Sequence, residues 1–321
     1  MTMKNFTTEF KTLAYVIQKS QRILLFAHSG PDGDTAGSVL AMKEYLTSLK
    51  KNVDIACNDP LPAFLESLTD YSFKTPAELD LKNYDAVIAC DSVERGFQAI
   101  LPNLPAKTAT IVIDHHPDIT ISADVVILDA TSSSACELIY EYLSSQNIPI
   151  TKNIATYLMI GVLSDTGNFQ HSNTSTRVLE ISSDLMKKGA SFAKIIQASF
   201  ANKKLSTLKL WGLAFEKAKI NPKNGLITTV LTLQDIKQCH ASTEDIGQVA
   251  SILNTVPGTK FSLVLSEREG GLIKGSLRSE QYKGVDVSEI AHLFGGGGHK
   301  LASGFEVKGQ IKETETGWEI V

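Results

Sequence analysis

Cysteine is scarce in this 321-residue chain: Cys57, Cys90, Cys136 and Cys239 stand far apart, with no CxxC pair. That excludes a disulfide frame and a zinc knuckle. A surplus of positive charge is missing too, since 31 Lys and Arg against 35 Asp and Glu leave a formal net charge of −4. A general nucleic-acid coat is therefore excluded, although a local basic groove is not. No window is apolar for the length of a bilayer span, and residues 1–10 lack the apolar core of a signal sequence. A cytoplasmic protein without membrane partners is the expectation. Glycine and proline stop at 22 and 10 residues, too few for a collagen-like or low-complexity chain.

What is present is the composition of an ordinary globular protein, long enough for two domains. Phe6, Phe10, Leu13, Ala14 and Ile17 recur at helical spacing. Short apolar runs at 23–27, 53–57, 86–90, 110–113 and 125–128 then alternate with helical patterns at 39–49, 153–163 and 176–188. Uninterrupted apolar strands separated by helices predict an α/β fold, a parallel sheet flanked by helices on both faces. After about residue 200 the texture changes. Residues 203–219 read as one long amphipathic helix, and runs at 226–231, 261–266 and 272–277 suggest a smaller mixed α/β domain. The expected division is a catalytic domain over 1–200, a helical connector over 201–220 and a substrate-binding domain over 221–321. Residues 1–201 carry 16 Lys and Arg against 22 Asp and Glu, whereas residues 202–321 carry 15 against 13. An acidic lobe beside a mildly basic one suits a site that takes a metal and an anion.

Four polar clusters stand where apolar runs end. His28-Ser-Gly-Pro-Asp32-Gly-Asp34 follows the first strand, Asp91 the third, Asp114-His115-His116 the fourth, and Asp165 the helical run 157–163. In an open parallel sheet, ligands gather outside the carboxyl ends of the strands, so the first three should converge on one crevice. Taken singly, Asp34 also suits a helix cap, and Asp91 and Asp165 suit turns. Taken together, carboxylates and imidazoles without thiolate suit a hard or borderline ion: Mn2+, with Mg2+ or Co2+ as alternatives. His28, Asp32, Asp34, Asp91, His115 and Asp165 make six donors, more than one ion with open water positions needs from protein. Two ions per site, roughly 3.5–4 Å apart and bridged by one carboxylate, use that number well. Gly30, Pro31 and Gly33 are expected to let the loop turn so that alternate carboxylates reach different ions.

A fifth feature is the run Gly295-Gly296-Gly297-Gly298-His299-Lys300, followed by Ser303 and Gly304. Placed before a helix, it would present backbone N–H groups to an anion. Arg278, at the end of a predicted strand, could fork onto phosphate or stack on a base. His171, His240 and His292 have no supporting cluster.

These motifs together resemble the DHH phosphoesterases, named for a triplet like Asp114-His115-His116, and the resemblance spans nearly the whole chain. Ser164-Asp165-Thr166-Gly167 looks like that family's fourth motif, and Gly295–His299 with Ser303-Gly304 like the glycine-rich motif of its associated C-terminal domain. The resemblance implies that His28 and Asp32 hold one ion, that Asp34, His115 and Asp165 hold the other, and that Asp91 bridges them. It further implies that His116 faces the scissile phosphate as charge stabiliser or proton donor, and that Asp114 orients the imidazoles. Arg278, Gly296, Gly297, Gly298, His299 and Ser303 would grip the far end of a nucleotide. The chain departs from the family at Gln170, where a basic residue is frequent, and at Thr176, where proline is commoner.

The size resembles the stand-alone bacterial group of that family. The implied activity is release of mononucleotides from short oligoribonucleotides, together with removal of the 3′-phosphate of 3′-phosphoadenosine 5′-phosphate. Hydrolysis of cyclic di-AMP or linear pApA is the alternative. Inorganic pyrophosphatase ranks lower, because Arg278 is the only well-placed cation for a small dianion. A metal-dead nucleotide-binding module is likewise less favoured, because no ligand is missing. The implied partners are short single-stranded RNA and small adenine nucleotides, with a homodimer as a possible assembly.

Overall fold

The computed structural model describes residues 5–116, 121–201, 203–314 and 317–321, apart from the side chains of Glu94, Arg95, Phe200, Ala201, His299 and Glu313. The chain divides into two compact units, Met1–Ala201 and Asn202–Val321.

In the first unit, β1 (Arg22–Phe26), β2 (Asn52–Ala56), β3 (Ala86–Cys90), β4 (Ala109–Asp114) and β5 (Val125–Leu128) pair in parallel in the order β2-β1-β3-β4-β5. Around them run α1 (Thr7–Lys19), α2 (Gly33–Ser48), the single turn α3 (Gln98–Ile100), α4 (Ala135–Ser145), α5 (Lys152–Asp165), α6 (Thr176–Lys187) and α7 (Phe192–Ile196). The strands read as unbroken apolar runs because both parities are buried. Ile23, Leu25, Ile88, Ile111 and Ile113 enter the large core shared with Leu13, Leu40, Leu138 and Leu158. Leu24, Phe26, Val87, Ala89 and Val112 enter a smaller core with Phe97 and Ile100.

Helix α2 begins at Gly33 rather than at the expected residue 39. Its first turn is polar, so apolar periodicity misses it, while the Asp32 carboxylate caps it by accepting from the backbone N–H groups of Asp34 and Thr35, both at 3.0 Å. Asp34 is thus a helical residue, not a loop residue. Gly30 does turn the loop, with φ +66°. Gly33 serves a different end. A Cβ there would stand 2.6 Å from Ser164 Cβ, and one at Gly37 would stand 2.5 Å from the Tyr157 carbonyl oxygen. On the facing helix, a Cβ at Gly161 would stand 2.2 Å from Cys136 Sγ and 2.5 Å from Asp34 Oδ1. Small residues on both sides let α2 and α5 approach closely, which sets Asp165 at the end of α5 beside the first turn of α2.

Helix α4 is absent from the sequence-based expectation, although its start carries a legible signal. Ser134 Oγ accepts from Glu137 N at 3.1 Å, and Glu137 Oε2 accepts from Ser133 N at 2.7 Å. This variant of the S-x-x-E capping arrangement satisfies helix-start donors that would otherwise be orphaned.

In the second unit, α8 (Leu205–Glu216) sends Leu210 and Ala214 into a core with Ile227, Leu231 and Val264. The expected connector over 201–220 is therefore an integral part of this unit. It is also shorter than the predicted helix, because β6 (Lys219–Asn221) starts where the helix was expected to end. The sheet continues with β7 (Leu226–Leu231), β8 (Phe261–Arg268), β9 (Leu272–Ser279), β10 (Gly297–His299) and β11 (Ala302–Lys308), in the order β10-β11-β9-β8-β7-β6. Among the described residues of this sheet only β7 and β8 pair in parallel, so the sheet is mixed as expected. Helices α9 (Leu233–Gln238), α10 (Val249–Leu253) and α11 (Val287–His292), and the hairpin β12 (Ile311–Thr314) with β13 (Gly317–Ile320), complete the unit.

The glycine run follows α11 and opens a strand; it does not precede a helix. Gly297, Gly298 and His299 pair with Gly304, Ser303 and Ala302. The helix-dipole contribution expected of this run therefore does not apply. Its glycines instead allow close backbone approach, since a Cβ at Gly296 would stand 2.2 Å from the Gly304 carbonyl oxygen and Gly298 has φ +129°. Among the described residues, no helix is long and apolar enough to cross a membrane.

The α2–α5 crossing gives a direct test. Gly161→Ala should destabilise the protein by about 1–3 kcal/mol through overpacking. Gly212→Ala, with open space around its Cβ position in α8, should be stabilising by up to about 1 kcal/mol. Urea denaturation of the two variants checks both signs, and equal behaviour would remove the packing argument.

Candidate metal centre

Strands β1, β3 and β4 are neighbours, so the segments leaving their carboxyl ends meet. They carry His28, Asp91 and Asp114-His115-His116 respectively. The N-cap and first turn of α2 add Asp32 and Asp34, and the last residue of α5 is Asp165. Three groups among these could each hold a cation: His28, Asp32 and Asp91; Asp34, His115 and Asp165; and Asp91, His115 and His116. Within each group the ligand atoms lie within 4.8 Å of one another. All six residues read as ligands from the sequence are therefore brought together. Asp91 and His115 each belong to two groups.

Each side chain is held by a specific device. Asp34 is fully buried and accepts from the first N–H groups of α4, Ala135 N at 2.6 Å and Cys136 N at 2.9 Å. A helix start thereby supports a carboxylate. His28 Nδ1 lies 2.7 Å from the Ser29 carbonyl oxygen; a carbonyl only accepts, so that nitrogen carries the proton and Nε2 faces the pocket. Asp91 adopts φ +52°, a left-handed conformation uncommon outside glycine and tolerated best by Asn and Asp. Asp114 is buried and accepts from His116 Nδ1 at 2.8 Å, His116 N at 3.0 Å and Val93 N at 3.2 Å. It therefore orients His116 directly.

The electrostatics follow from crowding. Burial, with Asp165 and Asp91 nearby, pushes the Asp34 carboxyl well above the usual range, against the pull of His115. Burial likewise raises Asp165 to about 6, although His115 Nε2 lies 3.1 Å away. Burial also works against ionisation of Asp91, but His116, His115 and Thr35 outweigh it and hold that carboxyl below the usual range. Burial disfavours charge on the two imidazoles, yet Asp165, Asp91 and Asp34 push His115 up to about 10, and Asp114 and Asp91 push His116 up to about 11. The pocket thus gathers positive charge from protons. Among the described residues the buried Asp91 Oδ1 makes no hydrogen bond, with His116 Nδ1 at 3.3 Å and His115 Nε2 at 3.6 Å. A lone carboxylate oxygen among nitrogen and oxygen donors fits a divalent cation well.

His171 has a place that sequence reading missed. Its Nδ1 lies 3.1 Å from the Asp165 carbonyl oxygen, to which Asn173 Nδ2 also donates at 3.2 Å. The loop after α5 folds back onto the residue it follows, a relation that no local spacing announces.

The residues expected to grip a nucleotide all lie in the second unit. Arg278 on β9 stands opposite Ala302 on β11, which stands opposite His299 on β10. Arg278 Nη1 donates to the Leu277 carbonyl oxygen at 2.8 Å, and Ser303 is buried opposite Gly298. Gly296 and Gly297 complete the same hairpin arm. The side chain of His299 lies outside the described residues.

Comparison with known proteins agrees with this architecture. Residues 22–162 match the model of the DHH family, N-terminal domain, and residues 224–316 match that of the DHHA1 domain. The chain is 29% identical over 309 residues to the probable bifunctional oligoribonuclease and PAP phosphatase NrnA of Streptococcus mutans, covering 92% of this chain and 93% of that protein. It is 29% identical over 288 residues to the bifunctional oligoribonuclease and PAP phosphatase NrnA of Thermus thermophilus, covering 89% and 84%. The solved structure of an exopolyphosphatase-related protein from Bacteroides fragilis shares the fold with a TM-score of 0.88, at 23% identity over 97% of this chain and 94% of that one.

The proton balance sets the response to pH. Without cations, Asp165, His115 and His116 hold their protons more tightly folded than unfolded. Stability therefore falls as pH rises through about 6 for Asp165, and onward through about 10 and about 11 for the imidazoles. Thermal midpoints in EDTA should drop from about pH 6.5 to about pH 9, and Mg2+ should flatten the drop by supplying the missing charge. A midpoint that climbs across this range in EDTA would contradict the assignment.

Proposed function

The chain belongs to the DHH family, with a DHH N-terminal domain followed by a DHHA1 domain, and from that premise we propose that it is a metal-dependent phosphoesterase of short nucleotides. It hydrolyses oligoribonucleotides a few residues long to mononucleotides and removes the 3′-phosphate of 3′-phosphoadenosine 5′-phosphate. The observation that carries this reading is the meeting of His28, Asp32, Asp34, Asp91, His115 and Asp165 in overlapping groups of ligand geometry. The activities named for the relatives from Streptococcus mutans and Thermus thermophilus support the choice of substrates.

In this reading, His28 and Asp32 would hold one divalent cation, Asp34, His115 and Asp165 would hold a second, and Asp91, which stands near both groups, would serve the two. Mn2+ suits the mixed imidazole and carboxylate donors best. Such a pair lowers the pKa of water and neutralises charge on a phosphoryl oxygen. The rest of the work falls to the protein. Asp114 holds His116 with Nδ1 toward the carboxylates, which leaves the other ring nitrogen to donate a hydrogen bond or a proton toward a leaving oxygen. Burial of His28, Asp34, Asp91 and His115 keeps competing water away and strengthens each of these interactions. Within the second unit, Arg278, Ser303 and the 296–299 arm are our candidates for nucleotide contacts.

Three measurements test the proposal. Asp91→Asn keeps a residue that tolerates the left-handed backbone, and should lower turnover more than about a hundredfold, beyond what loss of an orienting group would do. EDTA should silence the wild type and Mn2+ restore it. Timed product analysis on di-, tri- and pentaribonucleotides, with 3′-phosphoadenosine 5′-phosphate and cyclic di-AMP alongside, tests the substrates. Exclusive turnover of cyclic di-AMP would replace this assignment with the phosphodiesterase reading.

A further inference from the structure

Thr35 lies in the first turn of α2 and is fully buried. A helical threonine commonly returns its hydroxyl to a carbonyl one turn back. The hydroxyl of Thr35 faces the pocket instead, 2.7 Å from His28 Nε2, 2.7 Å from Asp91 Oδ2 and 3.1 Å from Asp32 Oδ1. One uncharged oxygen therefore touches all three members of a single cation group. The hydroxyl has one proton to give. The carboxylates only accept, and His28 already gives its Nδ1 proton to the Ser29 carbonyl oxygen. Asp32 already accepts two backbone N–H groups, so the bond with most to gain is the short one to ionised Asp91.

That bond has a directional consequence. Oδ2 is pinned on the side of His28, which lies 3.9 Å from it, while Oδ1 is left toward His115 and His116 at 3.6 Å and 3.3 Å. The left-handed backbone of Asp91 aims the side chain, and the hydroxyl settles its rotation. We propose that Thr35 is a positioning residue that orients the Asp91 carboxylate so that each oxygen serves a different cation. This rests on the two-cation reading above and adds to it a residue outside the ligand set.

The test is Mn2+ binding to the full chain by calorimetry, alongside turnover. Thr35→Val removes the hydroxyl at nearly constant volume and should weaken Mn2+ binding roughly ten- to hundredfold. Thr35→Ser keeps the hydroxyl and should restore affinity to within a few-fold of wild type. If Thr35→Val does not fold, as judged by circular dichroism, Thr35→Ala takes its place in the comparison. Unchanged or tighter Mn2+ binding by the hydroxyl-free variant would overturn the proposal, as would equal weakening in Thr35→Ser. Absence of Mn2+ binding by the wild type would instead bring down the two-cation reading and this inference together.

Discussion

Mutual repulsion among buried carboxylates is the constraint around which the first unit is arranged. Asp34 and Asp91 are buried, half-buried Asp165 and exposed Asp32 stand beside them, and a medium poor in water makes each ionised neighbour of the buried pair costly. The fold answers with positive ends and donors: the N-terminus of α4 against Asp34, the Thr35 hydroxyl against Asp91, and two protonated imidazoles set among the carboxylates. These supports hold the arrangement together without satisfying it completely: among the described residues Asp91 Oδ1 faces His115 and His116 without a hydrogen bond to either. A partly satisfied anionic pocket is what gives a divalent cation its driving force to bind.

The close approach of α2 and α5 serves that pocket rather than general stability alone. Glycine in a helix interior is unfavourable relative to alanine, yet Gly37 and Gly161 face each other's helices where no Cβ fits. The gain is proximity: Asp34 and Asp165, more than a hundred residues apart in the chain, come to flank the same histidine. Packing and chemistry thus use the same few residues.

The second unit handles its glycines by the same steric logic but to another end. Gly296 and Gly298 let one hairpin arm lie against its partner without side chains between. The backbone register then lines up Arg278, Ala302 and His299 across three strands. A motif that reads in sequence as an anion loop ahead of a helix is, in the fold, part of a sheet edge.

Much was legible beforehand because the strands are short, apolar and end abruptly in charge. Period and length point to the parallel sheet, and the rule that ligands collect at carboxyl ends of strands brings His28, Asp91 and Asp114-His115-His116 to one crevice. Less legible was whatever depends on contact between distant segments. The polar first turn of α2 hid its true start, Ser134 signalled α4 without revealing that its N–H groups meet Asp34, and nothing local in Gly161 indicates a neighbouring carboxylate. Composition and spacing by themselves determined which chemical groups the protein possesses and the class of fold that carries them, because periodicity and strand-end placement are local properties of the chain. Which oxygen of Asp91 is pinned, which glycines are obligatory and which histidine bends back to Asp165 were decided only by tertiary packing, because those depend on distances that a linear order of residues does not contain.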